Sequence, residues 1–351
     1  MSALMDVTAA GIADEAERIV DDFLDPQGTQ TYAFDVILAL LETRRDLVPR
    51  VRDAARSGLR PPLEALAAGD LIGDDADLLA ACQRAVTASL SSEPHTPTDR
   101  ERQVSMISFE GDGLLGRFCD VDLRAQLVAK LVAVATDPEA LEATRASAAN
   151  ALLNLGEATP DAQVSEAFER LEPLSHGAYD RSTWDQESEA SLHPFSRWRI
   201  GVAMPDTLRA AAVQTIGRLA TRDGDLKERA QAIADAALTS GRPLVVAGGL
   251  DVVARHPDLT LPIPLALFFD SAEIRVRLGA LKASAQRHGA PEGDLLERLK
   301  NDPDVRVRLA LRAVLRDRRD TAGLRALADD SNARVRALVA HDLAAIERTE
   351  S

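Results

Sequence analysis

The chain has 351 residues, of which 60 are alanine and 47 are leucine, whereas only 3% are aromatic. Alanine and leucine favour helices, and the scarcity of β-branched and aromatic clusters argues against a β-sandwich or β-barrel. The formal net charge of −15 disfavours a general nucleic-acid binder and a protein that docks on anionic lipid.

The N-terminal segment predicts neither secretion nor membrane insertion. It begins MSALMDVTAAGIADEAERIVDD, with Asp6 and Asp14 where a signal peptide needs a basic patch followed by an apolar run. No apolar stretch approaches the roughly 18 residues of a transmembrane helix. Two cysteines, Cys82 and Cys119, are too few for a disulfide framework. We therefore expect a cytoplasmic protein.

The first 92 residues show helical stripes without a shared motif, at about 11–24, 31–47, 62–69 and 75–91. Terminal repeats of a helical array are usually atypical, because one of their faces meets water. We predict a degenerate helical capping region at 1–92, a polar loop at 93–112, and a repeat array at 113–351.

A long insertion interrupts the helical rhythm at 173–204 and concentrates aromatic side chains. It contains Tyr179, Trp184 and Trp198, residue types that dominate binding hot spots. These rings predict a partner-binding loop; the alternative is that they fasten the insertion onto the helices. His176 and His193 lie 17 residues apart, a spacing that matches no metal-ligand motif.

Three segments near the C-terminal end repeat one another: DSAEIRVRLGALKA from residue 270, DPDVRVRLALRAVL from 302, and DSNARVRALVAHDL from 330. Aligned on Arg277, Arg308 and Arg336, they are spaced by 31 and 28 residues, about one helical hairpin each. In every copy a valine precedes this arginine, and another arginine lies two residues before it (Arg275, Arg306, Arg334).

The middle copy predicts how one unit folds. Asp302 is a favourable N-cap and Pro303 suits the first helical position, so we expect caps at Asp302 and at the equivalent Ser271 and Asp330. One apolar stripe then follows at i, i+3, i+4 and i+7 (Val307, Ala310, Leu311, Val314). A single hairpin cannot bury its own stripe and must stack on a neighbour.

The run Asp302-Pro303-Asp304-x-x-Val307-Arg308-x-Ala310-x-x-Ala313 resembles a HEAT-type repeat of the short, bilin-lyase-like subclass. The resemblance implies an armadillo-like, right-handed α-solenoid of stacked hairpins. It also implies a structural ladder between neighbouring repeats, built from Asp302, Asp330, Arg277, Arg308 and Arg336. Weaker copies upstream have Arg145 and Arg209 at the ladder position.

The doubled arginines predict a binding surface. Counted from the expected caps, Arg275, Arg306 and Arg334 fall in the first helical turn, where a positive charge opposes the helix dipole. Arg308, Arg312 and Arg316 add an i, i+4, i+8 stripe. Residues 270–351 carry 16 basic and 14 acidic side chains, whereas the remainder carries 25 and 42. We expect an acidic protein segment, a phosphate group or the chain's own acidic part to bind here; the alternative is pairing between repeats.

Catalytic motifs are scarce. The sequence has no glycine-rich phosphate loop, no G-x-S-x-G, no H-E-x-x-H and no C-x-x-C. Deoxyhypusine hydroxylases with similar repeats need several His-Glu pairs, and His341-Asp342 is the nearest approach here. Alkyl-purine DNA glycosylases with such repeats need a basic concave face, which the net charge disfavours. Kinship with bilin lyase subunits stays open.

We therefore predict an all-α solenoid that is a non-enzymatic scaffold or adaptor, binds a protein partner through its solenoid surface, and uses no cofactor or metal. A second hypothesis is an enzyme or lyase subunit whose active site is covered by residues 173–204. A third is nucleic-acid binding through the C-terminal arginines.

Overall fold

A computed structural model describes residues 9–25, 37–38, 40–41, 44–91, 109–140, 142–176 and 204–350. All regular secondary structure in these ranges is helical and none of it is β-strand, which confirms the all-α prediction. None of the described helices is both long and apolar enough to cross a bilayer.

Residues 256–273, which include a 3₁₀ segment, form one longer connection, whereas most α-helices follow one another with short connections. In chain order they are α1 (Ala9–Leu24), α2 (Val48–Arg56), α3 (Arg60–Ala68), α4 (Ala76–Ser91), α5 (Glu110–Gly116), α6 (Val121–Thr136), α7 (Glu142–Leu155), α8 (Asp161–His176), α9 (Met204–Leu219), α10 (Lys227–Leu238), α11 (Pro243–Arg255), α12 (Ile274–His288), α13 (Gly293–Lys300), α14 (Val305–Asp317), α15 (Thr321–Ala326) and α16 (Ala333–Glu350). Short 3₁₀ segments occur at Arg45–Leu47, Gly156–Ala158, Gly224–Leu226 and Leu265–Asp270.

Local sequence explains several helix ends. The Asp120 carboxylate accepts a hydrogen bond from the backbone N–H of Leu123 and caps α6, and Asp320 caps α15 in the same way through Gly323. Pro243 begins α11, where the missing N–H has no consequence. At the other end of α12, Gly289 takes a φ of 91°, which a residue with a Cβ rarely adopts.

The contacts divide the chain into two units, one of residues 54–263 and one that joins residues 1–53 with 264–351. The predicted boundaries at 92 and 112 coincide with neither limit of these units. Helix α1 contacts α16 inside the second unit, so helices from the predicted capping region group with both parts of the predicted array. This division follows from contacts between segments that are far apart in the sequence.

In the unit of residues 54–263 the helices pair consecutively: α4 with α5, α6 with α7, α8 with α9, and α10 with α11. Successive pairs contact each other through like members, so α5, α7, α9 and α11 follow one another, as do α4, α6, α8 and α10. Buried aliphatic side chains and Phe168 fill the space between the helices, among them Leu127, Leu131, Leu152, Val213, Ile216 and Leu250.

Alanine and glycine allow these helices to approach closely. A Cβ on Gly217 of α9 would lie 2.6 Å from Cγ2 of Val252 on α11, closer than packed carbon atoms come. The Gly217 carbonyl also lies 2.8 Å from Nε2 of the buried His256, just past the end of α11. The α9–α11 contact therefore depends on the missing side chain.

In the unit of residues 1–53 and 264–351, α12 contacts α14 and α14 contacts α16. The shorter helices α13 and α15 connect them and pack on α14, while the 3₁₀ segment Leu265–Asp270 packs on α12. Leu281, Val307, Leu311, Leu315 and Val339 are buried between these helices. Along the chain, α13 lies between α12 and α14, and α15 lies between α14 and α16.

The predicted insertion at 173–204 and the predicted loop at 93–112 both begin or end inside helices. Helix α8 continues through Pro173 to His176, because the side chains of Leu171 and Ser175 are still buried against neighbouring residues. Helix α5 starts at Glu110, where the small residues Gly111 and Gly113 pack closely against neighbouring helices. These residues are helical, which corrects both boundaries by a few positions.

Candidate functional site

Two arginine–aspartate clamps join the starts of α12, α14 and α16. Arg277 on α12 donates from Nε to Oδ2 of Asp302 at 2.8 Å and from Nη2 to Oδ1 at 3.0 Å. Arg308 on α14 repeats this pairing with Asp330, at 2.8 and 3.2 Å. Both guanidinium side chains are 11% exposed, and the two aspartates are buried. These bidentate pairs are the strong form of the charged hydrogen bond.

The predicted caps at Ser271, Asp302 and Asp330 are wrong by two residues. Helix α14 begins at Val305 with Asp304 as its N-cap, and α16 begins at Ala333 after Asn332, whose side chain accepts from the N–H of Arg334. Asp302 and Asp330 instead close the preceding turn, each accepting from the N–H two residues on. Their carboxylates are engaged by arginine, and the polar residue two positions on, Asp304 or Asn332, serves as the cap.

Each clamp arginine is also fixed by backbone carbonyls at the start of its own helix. Nη1 of Arg277 donates to the Ser271 oxygen at 2.8 Å, and Nη1 of Arg308 donates to the Asp302 oxygen at 2.7 Å. Arg336 has the same anchor, since its Nη1 donates to the Asp330 oxygen at 2.6 Å. The carbonyl acceptor lies six residues before the arginine in all three copies.

The structure removes two residues from the predicted partner-binding stripe. Arg308 is held in its clamp, and Arg312 makes a bidentate ion pair with Asp342 of α16 in which the arginine side chain is 12% exposed. Stacking α16 on α14 covers both guanidinium groups. Arg308 and Arg312 are therefore internal to the packing and present little surface to a partner.

Three other predicted arginines form a row, which we call the arginine edge: Arg275, Arg306 and Arg334, each the second residue of its helix. Arg275 and Arg306 are exposed and Arg334 is half-buried. Because the clamps join the starts of these three helices, the three side chains follow one another along one side of the unit. Arg316, at the far end of α14, is exposed and pairs with the adjacent Asp317.

Charge along the arginine edge is only partly balanced. Arg306 binds the capping Asp304, and this hydrogen bond lowers the pKa of the aspartate and raises that of the arginine. Within the described ranges, the Arg275 and Arg334 side chains make no ion pair. An anion that binds here therefore displaces no ion-pair partner from the guanidinium groups of Arg275 and Arg334.

A groove of about 590 Å³ opens between the turn before α14 and the turn before α16. Lys300, Asn301 and Pro303 line one side, and Asp329 and Ser331 line the other. The clamp of Arg308 and Asp330 forms part of its wall. The groove is open and polar, so it suits a bound chain segment better than a reaction that must exclude water.

Tyr179, Trp184, Trp198 and His193 of the predicted insertion lie outside the described residues. His176, at the end of α8, is exposed. In the segments predicted as weaker upstream repeats, Arg145 donates to the Ala135 carbonyl oxygen and Arg209 to that of Ser175. Both arginines, predicted for the ladder, thus bind the backbone of a preceding helix.

Sequence reasoning missed a buried polar cluster on α5. Asp112 is 1% exposed and accepts from Nη2 of Arg60 and from Oγ of Ser89, both at 2.5 Å. Nε of Arg60 also donates to Glu64 at 2.6 Å, and burial raises the pKa of Glu64. The only sequence signal for this cluster was the run Glu110-Gly-Asp-Gly, which is equally typical of a turn.

This cluster joins α3, α4 and α5 through hydrogen bonds. Nearby, Cys82 and Cys119 are both buried, and burial raises their pKa values to about 11 and about 12, so neither is an activated thiol. Within the described residues no group of three or more histidine, cysteine or carboxylate side chains could hold a metal ion.

No family model matches the chain, and no curated protein matches it in sequence.

Proposed function

We propose that this chain is a non-enzymatic scaffold or adaptor of the HEAT-like type, an α-solenoid that binds an acidic segment of a protein partner along the arginine edge. The observation that carries the proposal is the clamp geometry. The clamps join the starts of α12, α14 and α16, and Arg275, Arg306 and Arg334 are the second residues of these helices. The adjacent polar groove offers hydrogen-bonding groups to the backbone of the partner.

Two features support the solenoid part of the proposal. Helices pair consecutively and contact the next pair through like members, as stacked hairpins do. The clamps recur between successive repeats with the same donor and acceptor atoms. The first repeat differs, because Ser271 stands where the later ones have aspartate.

The test uses a fluorescein-labelled peptide of ten glutamates as the acidic probe. We expect Arg275→Glu, Arg306→Glu and Arg334→Glu together to weaken its affinity by about tenfold or more, and to reduce the dependence of affinity on salt, because exposed charges act mainly through screened attraction. Fluorescence anisotropy from 20 to about 300 mM salt measures both quantities.

A matched control makes the same change in net charge elsewhere. Arg45, Arg84 and Arg348 are exposed, and their combined replacement by glutamate should leave most of the affinity. Equal losses in the two triple variants, or no loss in the first, would contradict the proposal. A 20-nucleotide oligothymidine is the second probe; if it binds more tightly than the peptide and depends on the same arginines, nucleic-acid binding replaces protein binding.

A further inference from the structure

Close helix contacts in the unit of residues 54–263 bring three arginines together. An added Cβ on Gly116, at the end of α5, would lie 2.9 Å from Cδ1 of Leu155, at the end of α7. An added Cβ on Gly156, the residue after α7, would lie 3.0 Å from Nε of the arginine near the end of α9. The contact between Gly217 and Val252 brings the end of α11 to the same place. The arginines at these ends, which we call the arginine triad, are Arg117, Arg218 and Arg255.

The pKa of Arg218 reflects how close the three charges are. Burial lowers this pKa, and the positive charges of Arg255 and Arg117 lower it further. The carboxylates of Glu157 and Asp251 act in the opposite direction but do not cancel the effect. An anion bound among the three guanidinium groups would relieve their mutual repulsion.

Few N–H groups of the arginine triad are engaged by described residues. The buried Nε of Arg218 has no hydrogen-bond partner among them, and its Nη2 lies 3.2 Å from Oε1 of Glu157. Nη2 of Arg117 lies 3.6 Å from Oδ1 of Asp70, beyond ordinary hydrogen-bond distance. A buried donor without an acceptor destabilises the fold, so a ligand that accepts from Arg218 would be favoured.

Arg255 is oriented by its own helix. Its Nε donates to Oδ2 of Asp251, one turn earlier on α11, at 2.7 Å, and the aspartate side chain is 13% exposed. Neither Nη atom of Arg255 donates to a residue that the structure describes. The ion pair therefore fixes the guanidinium group and leaves its two outer nitrogens for a ligand.

Other arginines already bind the backbone carbonyls of this turn. Arg222 donates to the Thr159 oxygen at 3.1 Å, and Arg124 donates to the Ala158 oxygen at 3.3 Å. Carbonyl groups at a helix C-terminus carry partial negative charge, which would repel an anion if they were uncovered. Because Arg124 and Arg222 cover carbonyls here, the arginine triad is available for a different acceptor.

We propose that the arginine triad binds a phosphoryl group, either as inorganic phosphate or as a phosphate monoester on another molecule. One guanidinium group already satisfies the two oxygens of a carboxylate, so three groups present more donors than a carboxylate accepts. A phosphoryl group has three terminal oxygens and a charge of about −1.5 to −2 near neutral pH, which suits them better.

Two carboxylates near the triad are easily displaced. The side chains of Glu157 and Asp70 are 75% and 80% exposed, and ion pairs at such positions contribute little to stability. Both can turn into solvent when a ligand binds. Asp251 is covered and stays on Arg255, where it keeps that side chain in place.

This inference does not depend on the proposed function. The arginine triad belongs to the unit of residues 54–263, whereas Arg275, Arg306 and Arg334 belong to the other unit. Failure of the acidic-peptide test would leave the triad untouched, and the reverse also holds.

Calorimetric titration of the full chain with inorganic phosphate, at constant ionic strength, tests the site. We expect saturable binding that Arg117→Gln and Arg218→Gln each weaken by about tenfold, because each removes hydrogen bonds to a charged group. The matched control is Arg170→Gln, which makes the same charge change at an exposed position on α8 and should have little effect. Circular dichroism checks that each variant is folded.

A variant that should bind more tightly keeps the proposal testable if Arg218→Gln does not fold. Glu157→Gln removes a carboxylate that competes for Arg218, and its exposed position makes unfolding improbable. We expect phosphate affinity to rise by about threefold or more, since the lost attraction is that of an exposed ion pair. Glu166→Gln, an exposed change on α8, is the control and should leave the affinity unchanged.

A fluorescein-labelled peptide with a central phosphoserine identifies the source of the phosphoryl group. Binding at least about tenfold tighter than that of inorganic phosphate, and dependent on Arg218, assigns the triad to a phosphorylated protein. Equal affinities assign it to free phosphate. The proposal is overturned if neither probe binds, if the unphosphorylated peptide binds equally well, or if Arg117→Gln, Arg218→Gln and Glu157→Gln all leave the affinities unchanged.

Discussion

Arginine has two distinct roles here, and the surroundings of the guanidinium group separate them. Arg277, Arg308 and Arg312 are paired with aspartates and almost covered, so removing either partner leaves a buried charge. Arg275 and Arg306 occupy similar sequence contexts but face solvent, where an ion pair contributes little to stability. Of two arginines two residues apart on one helix, one is therefore buried in the packing and the other stays exposed.

The buried Asp112 predicts a large effect for a single substitution. Asp112→Ala removes the buried acceptor that Arg60 and Ser89 share, and we expect the free energy of unfolding to fall by about 2–4 kcal/mol, since Arg60 keeps Glu64 and some solvent. Urea unfolding followed by circular dichroism measures the change.

The control for Asp112 is Asp122, which is exposed in the first turn of α6. Asp122→Ala removes only a favourable interaction with the helix dipole and should cost below about 1 kcal/mol. Similar losses in the two variants would show that the cluster around Asp112 contributes no more than a surface carboxylate.

At the scale of the element, small residues decide how closely helices pack. In solution peptides, glycine lowers helix stability relative to alanine by about 1 kcal/mol. In α9, Gly217 nevertheless lies where any Cβ would collide with the β-branched Val252, whose side chain has little rotameric freedom. Tertiary packing here overrides local propensity.

Gly217→Ala should therefore destabilise the protein by about 1–3 kcal/mol, although helix propensity alone predicts a gain. Gly224→Ala is the matched control, because nothing lies within 4 Å of its added Cβ, and we expect a change within about 0.5 kcal/mol. Thermal and urea unfolding measure both.

A double variant identifies the cause. If the collision with Val252 is responsible, Val252→Ala should cost less in the Gly217→Ala background than in the wild-type protein. Strict additivity of the two changes would place the cost elsewhere.

For the whole molecule, acidic side chains set the response to pH. Hydrogen bonds from Arg56, Lys227 and Arg306 hold the pKa values of Asp75, Asp258 and Asp304 below their usual range. A carboxylate with a lowered folded-state pKa stabilises the fold above its unfolded value, near 4, and that contribution disappears as the pH falls through the folded value. Burial raises the pKa of Glu64, which acts in the opposite direction.

We expect stability to decline as the pH falls below about 4, and to decline less steeply when Asp75, Asp258 and Asp304 are all changed to asparagine. Asparagine retains the capping geometry of Asp75 and Asp304, so the variant isolates the charge. Urea unfolding between about pH 2 and 6 measures the slope. An unchanged slope would show that other carboxylates dominate acid unfolding.

Much of the architecture could be predicted from the sequence. Composition indicated an all-α protein, the 31- and 28-residue spacing located the helices from α12 onward, and the repeated arginines marked the positions that the clamps use. These features depend on local propensity and periodicity, which a single chain segment already contains. The cap positions were predicted two residues early, because a capping aspartate and a clamped aspartate look alike in sequence.

Tertiary structure alone decided which arginines are buried, that α1 belongs with α16, and that Asp112 is the centre of a polar cluster. Burial and pairing depend on the layer that lies across each side chain, and that layer comes from residues 22 to 52 positions away for Arg308, Arg312 and Asp112. Identical Val-Arg dipeptides therefore differ in their pairing: Arg308 is clamped by Asp330, whereas Arg336 binds backbone carbonyls and meets no carboxylate among the described residues.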